Sequence, residues 1–281
     1  MHPIAPAARM RGAAVLVLTA ALFVPAVAIA GPLEDGVTAY KRGDYTAAIE
    51  LLRPLAESGV AAAQRQLAAA YDDGKGVPRD YVAAAGWYEK AARQGDAAAA
   101  TTLGVRYEDG PGVKIDLGEA AKWYRVAADL GSADAQIHLA QLYDAGKGVP
   151  RDYVEGARLY GLAAEQGNAR AAAVLGVRYK YGLGVPQDIA LGIKWETIAA
   201  DHGLAAAQYS LGTAYVAGLG VGKDLVEAFK WLSLAAAQGD DVAMQARAAV
   251  AEGLTAEQLA EAERRAAQGR PGCAYGCRRP R

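Results

Sequence analysis

Apolar, small and polar residues recur in one fixed order along most of this chain. From residue 61 to residue 240 each stretch of 36 residues carries an Ala, then Leu, a small residue and Tyr at helical spacing, then two glycines and an Asp, then a large residue with an alanine pair, and closes on Gly. In the stretch 97–132 Ala99, Leu103 and Tyr107 fall at i, i+4 and i+8, which is one face of a helix, with Gly104 beside Leu103. Gly110 and Gly112 then break that helix, and Asp116 caps a second one whose buried side is expected to carry Trp123, Ala127 and Ala128 before Gly131 closes it.

The same set recurs in 61–96, 133–168, 169–204 and 205–240, and the closing glycines Gly59, Gly95, Gly131, Gly167, Gly203 and Gly239 stand 36 residues apart without a slip. A period of this length marks a repeat array, here an all-α solenoid of stacked helix-turn-helix units. All four tryptophans, Trp87, Trp123, Trp195 and Trp231, share one column, with Leu159 in the remaining unit, and are expected in the core. Asp96, Ser132, Asn168 and Asp240 form a column of N-caps; Val60 and Leu204 depart from it, which predicts weaker helix starts there.

Leu-small-x-x-Tyr, a Gly-x-Gly-Val turn ending in Asp, then Ala-x-x-Trp and Ala-Ala before Gly resembles the Sel-one-like repeat, a 36-residue relative of the tetratricopeptide repeat, over residues 61–240. Ahead of it, 31–60, with Ala39-Tyr40-Lys41-Arg42-Gly43-Asp44-Tyr45, is similar to a tetratricopeptide unit and suits an N-terminal cap. Behind it, Thr255 and Gln258 have the spacing of a capping box for a last helix in a C-terminal cap over 241–269.

The resemblance implies a scaffold without chemistry of its own that binds proteins, and, for exported bacterial members, an adaptor or regulator beside sensor kinases or polysaccharide machinery of the envelope. Some cysteine-rich relatives look like penicillin-binding or penicillin-hydrolysing proteins, but the paired cysteines of that subgroup are absent from these repeats. The kinship with tetratricopeptide arrays also implies that first-helix residues between the packed columns line a concave groove for a protein partner. Here these are Arg65, Asp72 and Asp73; Thr101, Glu108 and Asp109; Asp134, Gln141 and Asp144; Arg170, Lys180 and Tyr181; Tyr209 and Thr213. They run from acidic in the early units to basic and aromatic in the later ones. Two other readings stay open: solvated helix ends, and a cell-wall glycan stacked on Tyr181 and Tyr209.

Composition narrows the setting. Arg9 and Arg11, an apolar run from Ala13 to Val24 and the small residues Ala28 and Ala30 read as a secretory signal peptide over 1–30, cut after Ala30, so that the mature chain is expected in the periplasm or outside the cell without a membrane anchor. Removing Arg9 and Arg11 takes the formal charge from −1 to −3, and setting aside Arg270, Arg278, Arg279 and Arg281 leaves −7, a balance unsuited to nucleic acid. The only cysteines, Cys273 and Cys277, stand in the basic tail 270–281, where a disulfide between them would close a small loop.

Candidate chemistry is thin: no Gly-x-Ser-x-Gly or Ser-x-x-Lys occurs in the mature residues, and Gly218 to Asp224 has too short a spacing for a phosphate loop. No cofactor or metal site is expected, and His138 reads as an ordinary surface residue.

Overall fold

The computed structural model describes the backbone of residues 26–269 and the side chains of residues 31–269. Most of the segment 1–30 expected to be a signal peptide, and the tail with Cys273 and Cys277, lie outside the described residues. Fourteen helices and no strand occur among the described residues: α1 (Ala26–Arg42) and α2 (Tyr45–Glu57) at the N-terminal end; the five units α3 (Ala61–Asp73) with α4 (Tyr81–Ala92), α5 (Ala97–Asp109) with α6 (Leu117–Asp129), α7 (Ala133–Ala145) with α8 (Tyr153–Glu165), α9 (Ala169–Tyr181) with α10 (Ile189–Asp201) and α11 (Ala205–Ala217) with α12 (Leu225–Ala236); then α13 (Asp241–Ala251) and α14 (Ala256–Gln268).

Each unit is punctuated by local chemistry. The Asp116 carboxylate accepts from the Gly118 and Glu119 amides, so α6 begins with two of its free donors satisfied. Val60 and Leu204 make no side-chain cap, as their departure from the N-cap column predicts. Thr255 and Gln258 form the reciprocal capping box at α14. The two turn glycines have different duties. Gly110 ends α5 in the left-handed region at φ 96°. Gly112, at φ 82°, lies against the start of α4 in the preceding unit, where a Cβ would strike the carbonyl oxygen of Tyr81.

The core differs from the expected one at one column. Trp87, Trp123 and Trp195 are only half-buried; of the tryptophans Trp231 alone is buried. The residue after each tryptophan goes inside instead: Tyr88, Tyr124, Glu196 and Leu232, with Tyr160 in the unit that lacks a tryptophan. The reason is the small column of the first helix. A Cβ added at Gly104 would lie 2.5 Å from the Tyr124 ring, and one at Gly212 would lie 2.7 Å from Leu232 Cγ. The glycine makes room for the residue after tryptophan, and the indoles of Trp87, Trp123 and Trp195 pack half-buried against the edge of the core.

Three pairs of consecutive first helices meet directly, α1 with α3, α5 with α7 and α11 with α13, whereas the second helices of the five units make no such contact with one another and only α12 and α14, at the C-terminal end, pack together, more extensively. At those junctions the stack is closer on the first-helix side, the side taken as the inner one.

A period of 72 residues lies over the 36. Gln64, Gln136 and Gln208 are buried, donate to the carbonyls of Ala56, Ala128 and Ala200 in the preceding unit, and accept from Gln94, Gln166 and Gln238 of their own unit. At the alternate junctions Arg106 and Arg178 are buried instead, ion-paired to Asp72 and Asp144 of the preceding unit, with guanidinium carbons 5.2 Å and 5.0 Å from the ring centres of Tyr88 and Tyr160. Adjacent units are thus joined alternately by a glutamine seal and by an arginine clamp.

The C-terminal pair of helices departs from the repeat columns. The leucine column Leu67, Leu103, Leu139, Leu175 and Leu211 continues as Arg247, and the tyrosine column continues as Ala251. Both line a cleft of about 420 Å³ among α12, α13 and α14. The leucine and tyrosine columns that fill the core in the five units are thus not continued in α13, and the cleft stays open there.

Candidate interaction face

The inner face is built from one stripe per first helix, at spacings of four, three and four residues. On α5 the stripe is Ala98, Thr102, Val105 and Asp109; on α7 it is Asp134, His138, Gln141 and Ala145; on α9 it is Arg170, Val174, Val177 and Tyr181. The frame beneath is constant and the stripes are not, so any selectivity of this face resides in the stripes.

Of the groove residues expected from the sequence, six are exposed on these stripes: Asp73, Asp109, Asp134, Gln141, Arg170 and Tyr181. Asp73 nonetheless accepts from Lys75 Nζ at 2.8 Å and from the Tyr40 hydroxyl at 3.3 Å, and the Lys75 hydrogen bond holds its carboxyl below the usual range. The other eight make contacts between or within units. Arg65 Nε donates to Asp96 at 2.8 Å, Thr101 shares a hydrogen bond with Ser132, and Asp72 and Asp144 hold the two buried arginines. Glu108 accepts from the Tyr124 hydroxyl at 2.7 Å, and His138 stacks on that ring with centres 4.9 Å apart and its Nδ1 3.7 Å from Glu108. Tyr209 is half-buried against the C-terminal clusters, and Thr213 donates to the Ser210 carbonyl.

Lys180, Glu196 and Ser210 occupy the columns of Glu108, Tyr124 and His138, 72 residues on. Lys180 Nζ donates to Glu196 at 2.9 Å and to Ser210 Oγ at 3.2 Å, and Ser210 lies 3.1 Å from both Glu196 oxygens. With its side chain only 14% exposed and an acid matched to it, Lys180 gives the late units little positive field. Beyond Arg170 at the start of α9, their open surface is apolar: Tyr181 is 66% exposed and Val177 41%. The ends of the first helices on the inner face therefore run from acidic at Asp109 to apolar at Tyr181, with Arg170 exposed at the opposite end of α9.

Sequence reasoning missed Val177, the stacked His138, the buried arginines and the buried Glu196. The stripe spacing applied to each first helix would have found Val177, and the recurrence of Asp72 at Asp144 and Arg106 at Arg178 signalled the clamps. Within a single unit, nothing distinguished an aspartate facing a groove from one facing an arginine of the next unit. Among the described residues no group of His, Cys, Asp and Glu is placed to hold a metal ion.

The family model for the Sel1 repeat matches residues 31–60, 61–96, 97–132, 133–168, 169–204 and 205–240, so the N-terminal pair α1 and α2 is counted as a repeat as well. Among solved structures the chain is similar to a protective antigen of uropathogenic Escherichia coli displaying an SLR fold, with a TM-score of 0.76 and 36% identity over 85% of this chain and 53% of that one, so it spans about half the antigen's length. It is likewise similar to a Sel1 repeat protein from Oxalobacter formigenes, with a TM-score of 0.71 and 34% identity over 76% of this chain and 88% of that one. No curated protein matches.

Proposed function

We propose, from the premise that this chain belongs to the Sel1 repeat family, that it is an exported adaptor or regulator which binds a protein segment along the inner side of its stack, beside envelope signalling or polysaccharide machinery. Sel1 repeat proteins are protein-interaction scaffolds, and the family is generally non-enzymatic. The observation that carries the reading is the contrast on the first helices: Ala, Leu and Tyr recur beneath, while the exposed stripe changes from Asp109 to Gln141 to Val177 and Tyr181. A constant frame under a varied surface is what recognition by many shallow contacts requires.

Export is supported by the basic, apolar and small-residue order of residues 1–30 and by the family match, which begins at Gly31, the first residue after the expected cut. Among the described residues no helix is long and apolar enough to cross a membrane. N-terminal sequencing of the protein from the envelope fraction is expected to read Gly-Pro-Leu-Glu; a start at Met1 would mean the leader is retained.

The binding face is tested with Asp109→Asn and Asp134→Asn together. Both side chains are exposed, so the melting temperature is expected to hold while association with the native partner slows and loses part of its salt dependence. Unchanged affinity and salt slope would move the site to another face. A cell-wall oligosaccharide that competes with the partner and loses affinity in Tyr181→Ala would favour the glycan reading.

A further inference from the structure

We infer that the partner segment is bipolar: a basic group seated at the acidic end of α5 and an aliphatic or aromatic anchor seated on Val177 and Tyr181 of α9, about 20 Å apart. This rests on the inner face being the binding face, and adds the chemistry and spacing of what binds there.

The anchor site comes first. The column of Tyr181 is Asp73, Asp109, Ala145 and Ala217 in the other units, so the fold needs no aromatic there, yet this one is two-thirds exposed. Val177 stands one turn before it on the same stripe and is also exposed, where the column elsewhere has Ala69, Val105, Gln141 and Thr213. Together they form an apolar patch that belongs to none of the core clusters of the described residues. No net charge opposes an apolar ligand: Lys180 is matched by Glu196, and Arg170 starts the stripe eleven residues back, about 16 Å along α9.

The second site is the end of α5, where Asp109 is exposed and Glu108 is half-exposed. Asp109 occupies the column of Tyr181 two units earlier. α5 packs directly on α7, and an advance of about 10 Å per unit, the usual spacing of packed helices, sets the separation at about 20 Å over two units. An extended segment covers that span with about six residues between its basic and apolar groups. The reversed placement puts a cation on the apolar patch and an apolar group against two carboxylates, so desolvation selects one register.

The test is fluorescence anisotropy of the full chain with a labelled peptide carrying an Arg-Arg pair and a Phe-Leu pair separated by about six Gly/Ser residues, against the same peptide with half that spacer. The matched peptide is expected to bind about tenfold tighter, because the shorter spacer cannot let both ends seat at once. Val177→Ser with Tyr181→Ser is expected to erase that advantage and leave the salt slope; Asp109→Asn with Glu108→Gln is expected to erase it and flatten the slope. A photo-crosslinker at position 177 reports where the peptide lies. Equal affinity for the two spacers with crosslinking at 177 overturns the bipolar segment and leaves the inner face standing as the binding face. Binding without that crosslink overturns both.

Discussion

At residue 124 a tyrosine is sealed against Gly104, and at residue 123 a tryptophan lies half in solvent. Truncation should separate them. Tyr124→Ala is expected to cost roughly 3 to 5 kcal/mol, as large-to-small changes in a close-packed core do. Trp123→Ala is expected to cost about half as much, because part of its surface already faces water. Urea melts of the two variants check the order; a reversed order would mean that the tryptophan column carries the core.

The arginine clamps are the other feature at this scale. Arg178 is buried against Tyr160 and paired to Asp144, so Arg178→Ala leaves the carboxylate without its cation and is expected to cost roughly 3 kcal/mol, while Arg178→Met with Asp144→Leu should recover most of it. Burial first and then the Asp144 charge push the Tyr160 hydroxyl up from 10.0 to about 12. A raised tyrosine pKa means the fold holds the neutral form. Its contribution is complete below pH 10.0 and is lost as the pH climbs towards about 12, so stability should fall in that window, and less steeply in Tyr160→Phe.

On the element scale the turn glycines make a paired test. Gly131 has φ 89° with open space around its missing Cβ, so Gly131→Ala should cost about 1 kcal/mol for backbone strain alone. Gly112→Ala adds a collision with the Tyr81 carbonyl of the preceding unit and should cost several times more, with the loss shared by α4 and α5. Equal losses would show that the second turn glycine serves conformation only. Helix bounds, caps and turns were legible in the sequence because each depends on residues within four of one another: Asp116 caps its own helix, and Val60 cannot. The alternation of junctions was not, because it depends on residues about 34 apart, such as Asp72 and Arg106, and a single-unit alignment averages over it. The visible sign was Gln64, Gln136 and Gln208, present in every second unit.

For the whole molecule, the repeat frame followed from the spacing of Ala, Leu, Tyr and Gly, since those residues fill the same space in every unit. The interaction face did not follow as directly. Lys180 looks like an open cation until Glu196 is seen in the place that Tyr124 fills two units earlier, and Asp72 and Asp144 look like groove acids until the arginine of the next unit is placed on them. What remains open is acidic at Asp109 and apolar at Val177 and Tyr181. The central claim is that partners dock on this inner side. Site-specific photo-crosslinking in the cell that makes the protein tests it most directly, with the crosslinker placed in turn at Gln141 and Val177 on the inner stripes and at Lys122 and Leu162 on the exposed sides of α6 and α8. The account predicts one crosslinked partner from both inner positions and none from the outer pair. The same partner captured from Lys122 and Leu162 but not from Gln141 or Val177 would contradict it.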